Sequence, residues 1–220
     1  TIMTSIIHWV ASFETFIFTT VSSTFILMIA SYGLLIALIL WWKKKSLIRT
    51  ILVLSAIILV QIILIKNKLE FGNSKEWVVL NASKKTIICQ RIGNEIEVIS
   101  NGLQSEEIQK NMTLQNYATG TFSDITKESP LKNVAYFNRN RILILDNSSV
   151  YLPNNQADIL LLTASPKVNL ERILKNNRPK MVVADASNYK SLVNLWEQTC
   201  NQQKIPFHST REKGYFYIKE

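Results

Sequence analysis

Two histidines, His8 and His208, and two cysteines, Cys89 and Cys200, are all the imidazole and thiol that the 220 residues offer. Zinc and related ions need such groups clustered. No HxH, HxxxH or CxxC spacing occurs, so the chain by itself lacks the ligands for a metal centre. His208 follows Ile205, Pro206 and Phe207 at a predicted strand end, where a lone histidine is structural before it is catalytic. Cys89 and Cys200 lie far apart and are expected to be independent, partly buried thiols. A disulfide between them is the alternative if the domain faces an oxidising compartment.

Oxygen chemistry is also sparse. Ser165 sits at a strand-to-helix junction, but in Ala164-Ser165-Pro166, without the glycines of a nucleophile elbow, so a cap or turn is the expected role. Asp146 and Asp185 each follow an apolar strand, the place where site carboxylates sit in α/β sheets. With no histidine beside them they serve equally well as turn formers. The run 81–85, NASKK, has no glycine cradle for a phosphate. Lys167, Arg172, Lys175, Arg178 and Lys180 gather around one predicted helix and its exit loop. They are the candidate nucleic-acid contacts, against the ordinary reading of a solvated basic face.

The elements that must position these groups fall into two parts. The chain carries 25 Lys and Arg against 16 Asp and Glu, a formal charge of +9. Up to Trp42 the only charged residue is Glu14, and the basic residues begin abruptly at Lys43. In residues 1–20, Ile2, Ile6, Trp9, Phe13 and Phe16 fall on one helical face and Thr4, His8, Ser12, Thr15 and Thr19 on another, which predicts an amphipathic interfacial helix. Residues 21–42 carry no charge, end in Trp41 and Trp42, and are followed by three lysines, the pattern of a transmembrane helix. Residues 47–65 predict a second span, with Arg49 able to snorkel back and Gln61 a polar contact or near the far interface. Lys43, Lys44, Lys45 and Arg49 in the short loop outnumber Lys66 and Lys68 beyond it, which places the loop in the cytoplasm and the tail outside. No basic-plus-cleavage signal opens the chain, and it is expected to be the C-terminal piece of a longer polytopic protein.

After Ile65 come about 155 residues, enough for one domain with its own core. Strands are predicted at 77–80, 86–92 and 95–100, the last two joined by a Gly93-Asn94 turn, with a further turn at Asn101-Gly102. Residues 103–135 are read as loop with one short helix. Strands follow at 141–146, 150–152 and 158–163, then a helix over 167–176 with Pro166 at its opening, and a strand over 180–184. A helix capped by Ser187 or Asn188 runs to Gln203, with Leu192, Leu195, Trp196 and Thr199 as its inward stripe. Residues 206–208 and 215–218 are read as closing strands around Lys213-Gly214. The alternation gives an α/β layered domain after membrane helices.

The segments 157–166, ADILLLTASP, and 177–190, NRPKMVVADASNYK, with QKIPFH at 203–208 and EKG at 212–214, resemble the C-terminal end of ComEC-type DNA-uptake channel proteins, in the form found in the Bacteroidetes lineage. The helices with HWVASFE at 8–14 resemble the last part of that family's membrane channel domain. Many family members end in a metallo-β-lactamase-like domain proposed to degrade the strand that is not imported. The resemblance therefore implies a shortened, degenerate metallo-β-lactamase-like layered fold. Where such domains place a His-His-Gly-Ser element after a strand, Thr163, Ala164 and Ser165 stand here. Residues 100–140, where an HxHxDH segment should fall, contain no histidine. Ser187, Asn188 and Tyr189 correspond to the family's Asn-containing turn.

The resemblance thus implies the scaffold without the hydrolase: no enzyme, no cofactor, and no metal ligand or catalytic residue carried over. The expected function is a component of an inner-membrane channel importing single-stranded DNA in natural transformation, with an extracytoplasmic tail. Expected partners are the remaining transmembrane helices of the same longer protein, single-stranded DNA, other competence proteins and the lipid bilayer. Two alternatives stay open: a metal-dependent nuclease completed by residues elsewhere, and a membrane-anchored structural or assembly module.

Overall fold

Apolar side chains project on every side of the first two helices. In the computed structural model, which describes residues 24–101, 105–148 and 156–220, helix α1 spans Phe25–Lys43 and helix α2 spans Leu47–Gly72. Both are long and apolar enough to cross a membrane. Ile29, Ile36, Leu47, Ile51 and Ile58 are all exposed in the chain alone, a pattern compatible with a membrane location. The Arg49 guanidinium donates to the carbonyls of Leu40 (2.8 Å) and Lys44 (3.2 Å), filling acceptors at the end of α1. The interfacial helix over 1–20 and the strand over 150–152 lie outside the described residues.

Residues Lys66–Glu220 form a separate compact unit built on two five-stranded sheets. Strands β1 (Lys75–Val79), β2 (Ile87–Ile92) and β3 (Glu95–Ser100) run antiparallel, with Gly93 at φ 64° in the β2–β3 turn. Helices α3 (Ser105–Gln109) and α4 (Met112–Gly120) then lead to β4 (Asp124–Pro130), parallel to β3. The second sheet starts with the hairpin β5 (Val134–Phe137) and β6 (Asn140–Leu145). It continues in parallel through β7 (Ile159–Leu162), helix α5 (Leu170–Asn177), β8 (Met181–Ala184), helix α6 (Lys190–Gln202) and β9 (Phe207–Ser209). The short helix α7 (Thr210–Lys213) precedes β10 (Phe216–Lys219), which returns to the first sheet beside β1.

The period of two along each strand sends alternate side chains to opposite faces. Trp77, Val79 and Ile88 meet Ile142, Ile144, Ile159, Leu161 and Val183 between the sheets. Val78, Ile87, Cys89, Ile96 and Val98 turn the other way, onto Ile108, Leu114 and Ala118 of α3 and α4. On the far side of the second sheet, Leu143, Leu145, Leu160, Leu162 and Val182 pack on Ile173, Leu174, Val193, Trp196 and Cys200. Four layers result, helix, sheet, sheet, helix. Strands buried on both faces explain the unbroken apolar runs at β6, β7 and β8.

Several expectations are corrected. Residues 103–135 hold α3, α4, β4 and the start of β5, not a loop with one helix. Strand β4 has no apolar alternation in the sequence because it is an edge strand whose side chains are mostly exposed. Helix α5 starts three residues later than predicted, at Leu170, and its cap is Asn169, whose side chain accepts from the Arg172 N–H at 3.0 Å. Neither Ser187 nor Asn188 caps α6: Tyr189 holds that position without a side-chain bond. In α6, Trp196 is buried and Leu192 packs on the same core as expected, but the stripe is completed by Val193 and Cys200, while Leu195 is 55% exposed and Thr199 bonds back to the Leu195 carbonyl. Stripes one residue apart satisfy the same period, and only the packing surface chooses between them. Finally, the two closing strands are not a pair. Strand β9 adds to β8 in the second sheet, and β10 crosses to the first, because Phe216 and Ile218 join the core between the sheets.

Candidate functional site

Strands β7 and β8 are parallel neighbours, so the loops at their C-terminal ends come together. One loop carries Thr163, Ala164 and Ser165, the other Asp185 to Tyr189. Asp185 is 1% exposed. Its Oδ2 accepts from the Thr86 hydroxyl at 2.6 Å, and its Oδ1 from the Ser187 N–H (3.0 Å), the Ser187 hydroxyl and the Asn188 Nδ2 (3.0 Å). Asn188 also donates to the Leu162 carbonyl at 2.7 Å. The opposite loop docks through its backbone: Ala164 N–H donates to Ser187 Oγ (2.6 Å) and Ser165 N–H to Asn188 Oδ1 (2.7 Å), while Tyr189 N–H donates to Ser165 Oγ (2.9 Å). Ala164 and Ser165 sit at φ 52° and 57° to make these bonds, a local strain that the network holds in place. Arg211 closes the rim by donating to the carbonyls of Ala186 (2.7 Å) and Asn188 (3.1 Å).

Burial pushes the Asp185 carboxyl up to about 6, against the pull of the Ser187 and Thr86 hydroxyls and of Arg211. Ser165 and Asp185, both candidates from sequence, thus share one network through Ser187 and Asn188. Asp146 does not join it: it accepts from the Ser148 N–H (3.0 Å) and hydroxyl (2.5 Å), an ordinary turn. His208 contacts the Gly214 carbonyl through Nε2 at 3.1 Å and the Phe216 ring at 5.4 Å, a packing role. Among the described residues, the donors to Asp185 are hydroxyls, an amide and a backbone N–H, with no imidazole and no second carboxylate. No group of three His, Cys, Asp or Glu able to hold a metal occurs among the described residues. This set does not fit the metal that a metallo-β-lactamase site needs.

Of the candidate nucleic-acid contacts, Lys175 and Arg178 line one cleft with Lys204, Gln202 and Gln203, and Glu171 faces them. Lys175 pairs with Glu171 at 2.7 Å and Lys180 with Asp158 at 2.8 Å. Both lysines are exposed, and such pairs contribute little and exchange readily for phosphate. Lys180 is held at Asp158, outside the lining of that cleft, and Arg178 is the left-handed cap of α5 at φ 36°.

Sequence reasoning missed Arg91, which is fully buried. Its guanidinium donates to the carbonyls of Phe71 and Gly93 and to Ser74 Oγ, each at 2.7 Å, and pairs with Glu76 at 3.1 Å. It thereby holds the last turn of α2 against the β2–β3 hairpin. The signal was an arginine at an inward position of an alternating strand, two residues after Cys89. The two cysteines are free, buried, and in different cores, Cys89 under α3 and α4 and Cys200 on α6.

A family model described as ComEC C-terminal domain matches residues 77–220. No curated protein and no solved structure matches the chain.

Proposed function

Because this chain belongs to the ComEC C-terminal domain family, which places it in DNA uptake, we propose that it is a component of an inner-membrane channel that imports single-stranded DNA during natural transformation. The family match is the observation that carries the reading. The two long apolar helices supply wall elements for such a channel, completed by the remaining helices of a longer protein. Four basic residues in the loop from Lys43 to Arg49 favour a cytoplasmic hairpin and an extracytoplasmic tail.

The tail is a degenerate metallo-β-lactamase-like scaffold that does no hydrolysis. Support for the scaffold is the stacking of two mixed sheets between helix layers. Support for the loss of catalysis is the donor set at the ends of β7 and β8, where Asp185 is occupied by Thr86, Ser187 and Asn188. DNA is guided by contacts to its phosphates, with Lys175 and Arg178 as the leading candidates, and this term weakens with salt.

The test is transformation frequency in a competent host whose copy of this protein lacks residues 70–220, with single- and double-stranded donor DNA. Loss with both donors is expected. Loss confined to double-stranded donor would replace the transport reading of the tail by a strand-degrading one. Unchanged frequency would remove the tail from DNA uptake.

A further inference from the structure

Tyr215 lies just before strand β10, and Phe216, Tyr217 and Ile218 alternate along it. Phe216 and Ile218 enter the core between the sheets. Tyr217 is paired with Val78, whose side chain points to the α3 and α4 side, and directly paired residues share a face. The tyrosines are therefore on the outer surface of the first sheet. Their rings stand 5.8 Å apart and remain 57% and 56% exposed.

They form one flank of an open trough of about 770 Å³ between β10 and α4. Tyr117 and Phe71 add further aromatic surface, while Asn81, Asn116, Thr113 and Thr121 supply neutral donors and acceptors. Among the described residues Glu76 is the single carboxylate of the lining. It is offset by Arg91 at 3.1 Å and Lys219 at 3.6 Å, and it accepts from the Tyr117 hydroxyl at 3.2 Å. The lining therefore does not repel an anion.

We infer that this trough binds unpaired nucleobases of single-stranded DNA, stacked on Tyr215 and Tyr217, with the Asn and Thr side chains meeting their edges. The inference rests on the DNA-transport reading and names a second contact surface besides the basic cleft at α5. Aromatic faces accept any base, which suits a strand handled without regard to sequence. Paired bases present no free face, so a duplex gains nothing from the trough. A protein strand would add to the free edge of β10, whereas the tyrosines stand on the sheet's face and offer stacking rather than backbone pairing.

The experiment is fluorescence anisotropy with the full chain in detergent micelles and a labelled oligo(dT), with a duplex of equal length for comparison. Y215A/Y217A is expected to weaken oligo(dT) binding by about tenfold or more at every salt concentration, leaving the slope against salt unchanged. Y215F/Y217F, which keeps both rings, should retain wild-type affinity. K175A/R178A should instead lower the salt slope. Both tyrosines are exposed, and near-ultraviolet circular dichroism checks that the variants are folded. Equal affinity of Y215A/Y217A and wild type, or tighter binding of duplex, overturns the inference. So does loss of binding in the phenylalanine variant, since stacking would then not be the source. If oligo(dT) binding is absent while deletion of residues 70–220 abolishes transformation, the trough fails and the transport reading stands. Tyrosine-dependent binding with unchanged transformation is the reverse.

Discussion

Replacing Asp185 with Asn should turn a pH-dependent tail into one less so, with a sign fixed by burial. The carboxyl is 1% exposed, and its folded value is raised from the ordinary 3.8 to about 6, first by loss of hydration. A raised acid holds its proton more tightly folded than unfolded. Below the unfolded value both states are protonated and there is no penalty. As pH rises from about 4 through about 6 the unfolded chain ionises first, so stability falls, and above the folded value the penalty is constant. The rise from 3.8 to about 6 corresponds to about 3 kcal/mol. Asn keeps the shape and cannot ionise, and the hydroxyls of Thr86 and Ser187 can rotate to accept from its amide. The stability of D185N minus that of wild type should therefore rise by about 2.5 kcal/mol between pH 4 and pH 7.5, the first part of the total already being lost at pH 4. Equilibrium urea unfolding in micelles reads it through Trp77 and Trp196, both buried in the tail. Glu97 is held low by Ser129 and Lys127, and Asp158 by the Arg141 N–H and Lys180. They lose stability toward acid in both proteins and cancel in the difference. A difference that stays flat, or falls with rising pH, would mean that the network stabilises the anion and that the argument from burial is wrong.

Two further outcomes follow from the geometry. Gly93 and Gly214 both have positive φ, at 64° and 82°, but a Cβ on Gly93 would lie 2.9 Å from the Gly72 carbonyl oxygen, whereas one on Gly214 meets nothing within 4 Å. G214A, at ψ −169° in backbone space essentially confined to glycine, should cost about 1–3 kcal/mol, and G93A more in thermal unfolding, since it adds a clash with backbone beside the Arg91 anchor. Cys89 and Cys200 are both buried, with the Cys200 thiol pushed up to about 12 and Cys89 also raised by burial. Neither should react with Ellman's reagent in the folded protein at pH 8, and both should react fully in guanidinium, because the thiolate is the reacting form.

The parts of the fold legible in the sequence are those whose pairing is local or whose burial is complete. Gly93 with Asn94 announces the β2–β3 hairpin, and the runs at β6, β7 and β8 announce strands covered on both faces. Polar edge strand β4 has no such signature, since only its parallel pairing with β3 keeps it a strand. Strand β10 was found, yet its partner β1 lies at the other end of the domain, and no turn or spacing encodes that choice. What encodes it is the alternation itself, which demands two surfaces, a buried one for Phe216 and Ile218 and a freer one for Tyr215 and Tyr217.

The site follows the same division. A carboxylate just after a buried parallel strand was legible as a candidate, and Asp185 is where such residues belong. Its nature was not, because that depends on Thr86, 99 residues away and reached only across the two sheets. A carboxylate with an imidazole or a second carboxylate in that place would hold an ion or a proton for chemistry. One surrounded by two hydroxyls and an amide has its lone pairs filled by groups that neither bind metal strongly nor accept a proton near neutral pH. Ser187 and Asn188 do not cap α6 and instead hold Ala164 and Ser165 in left-handed conformations. The network joins the two loops at the ends of β7 and β8 through the protein's own side chains.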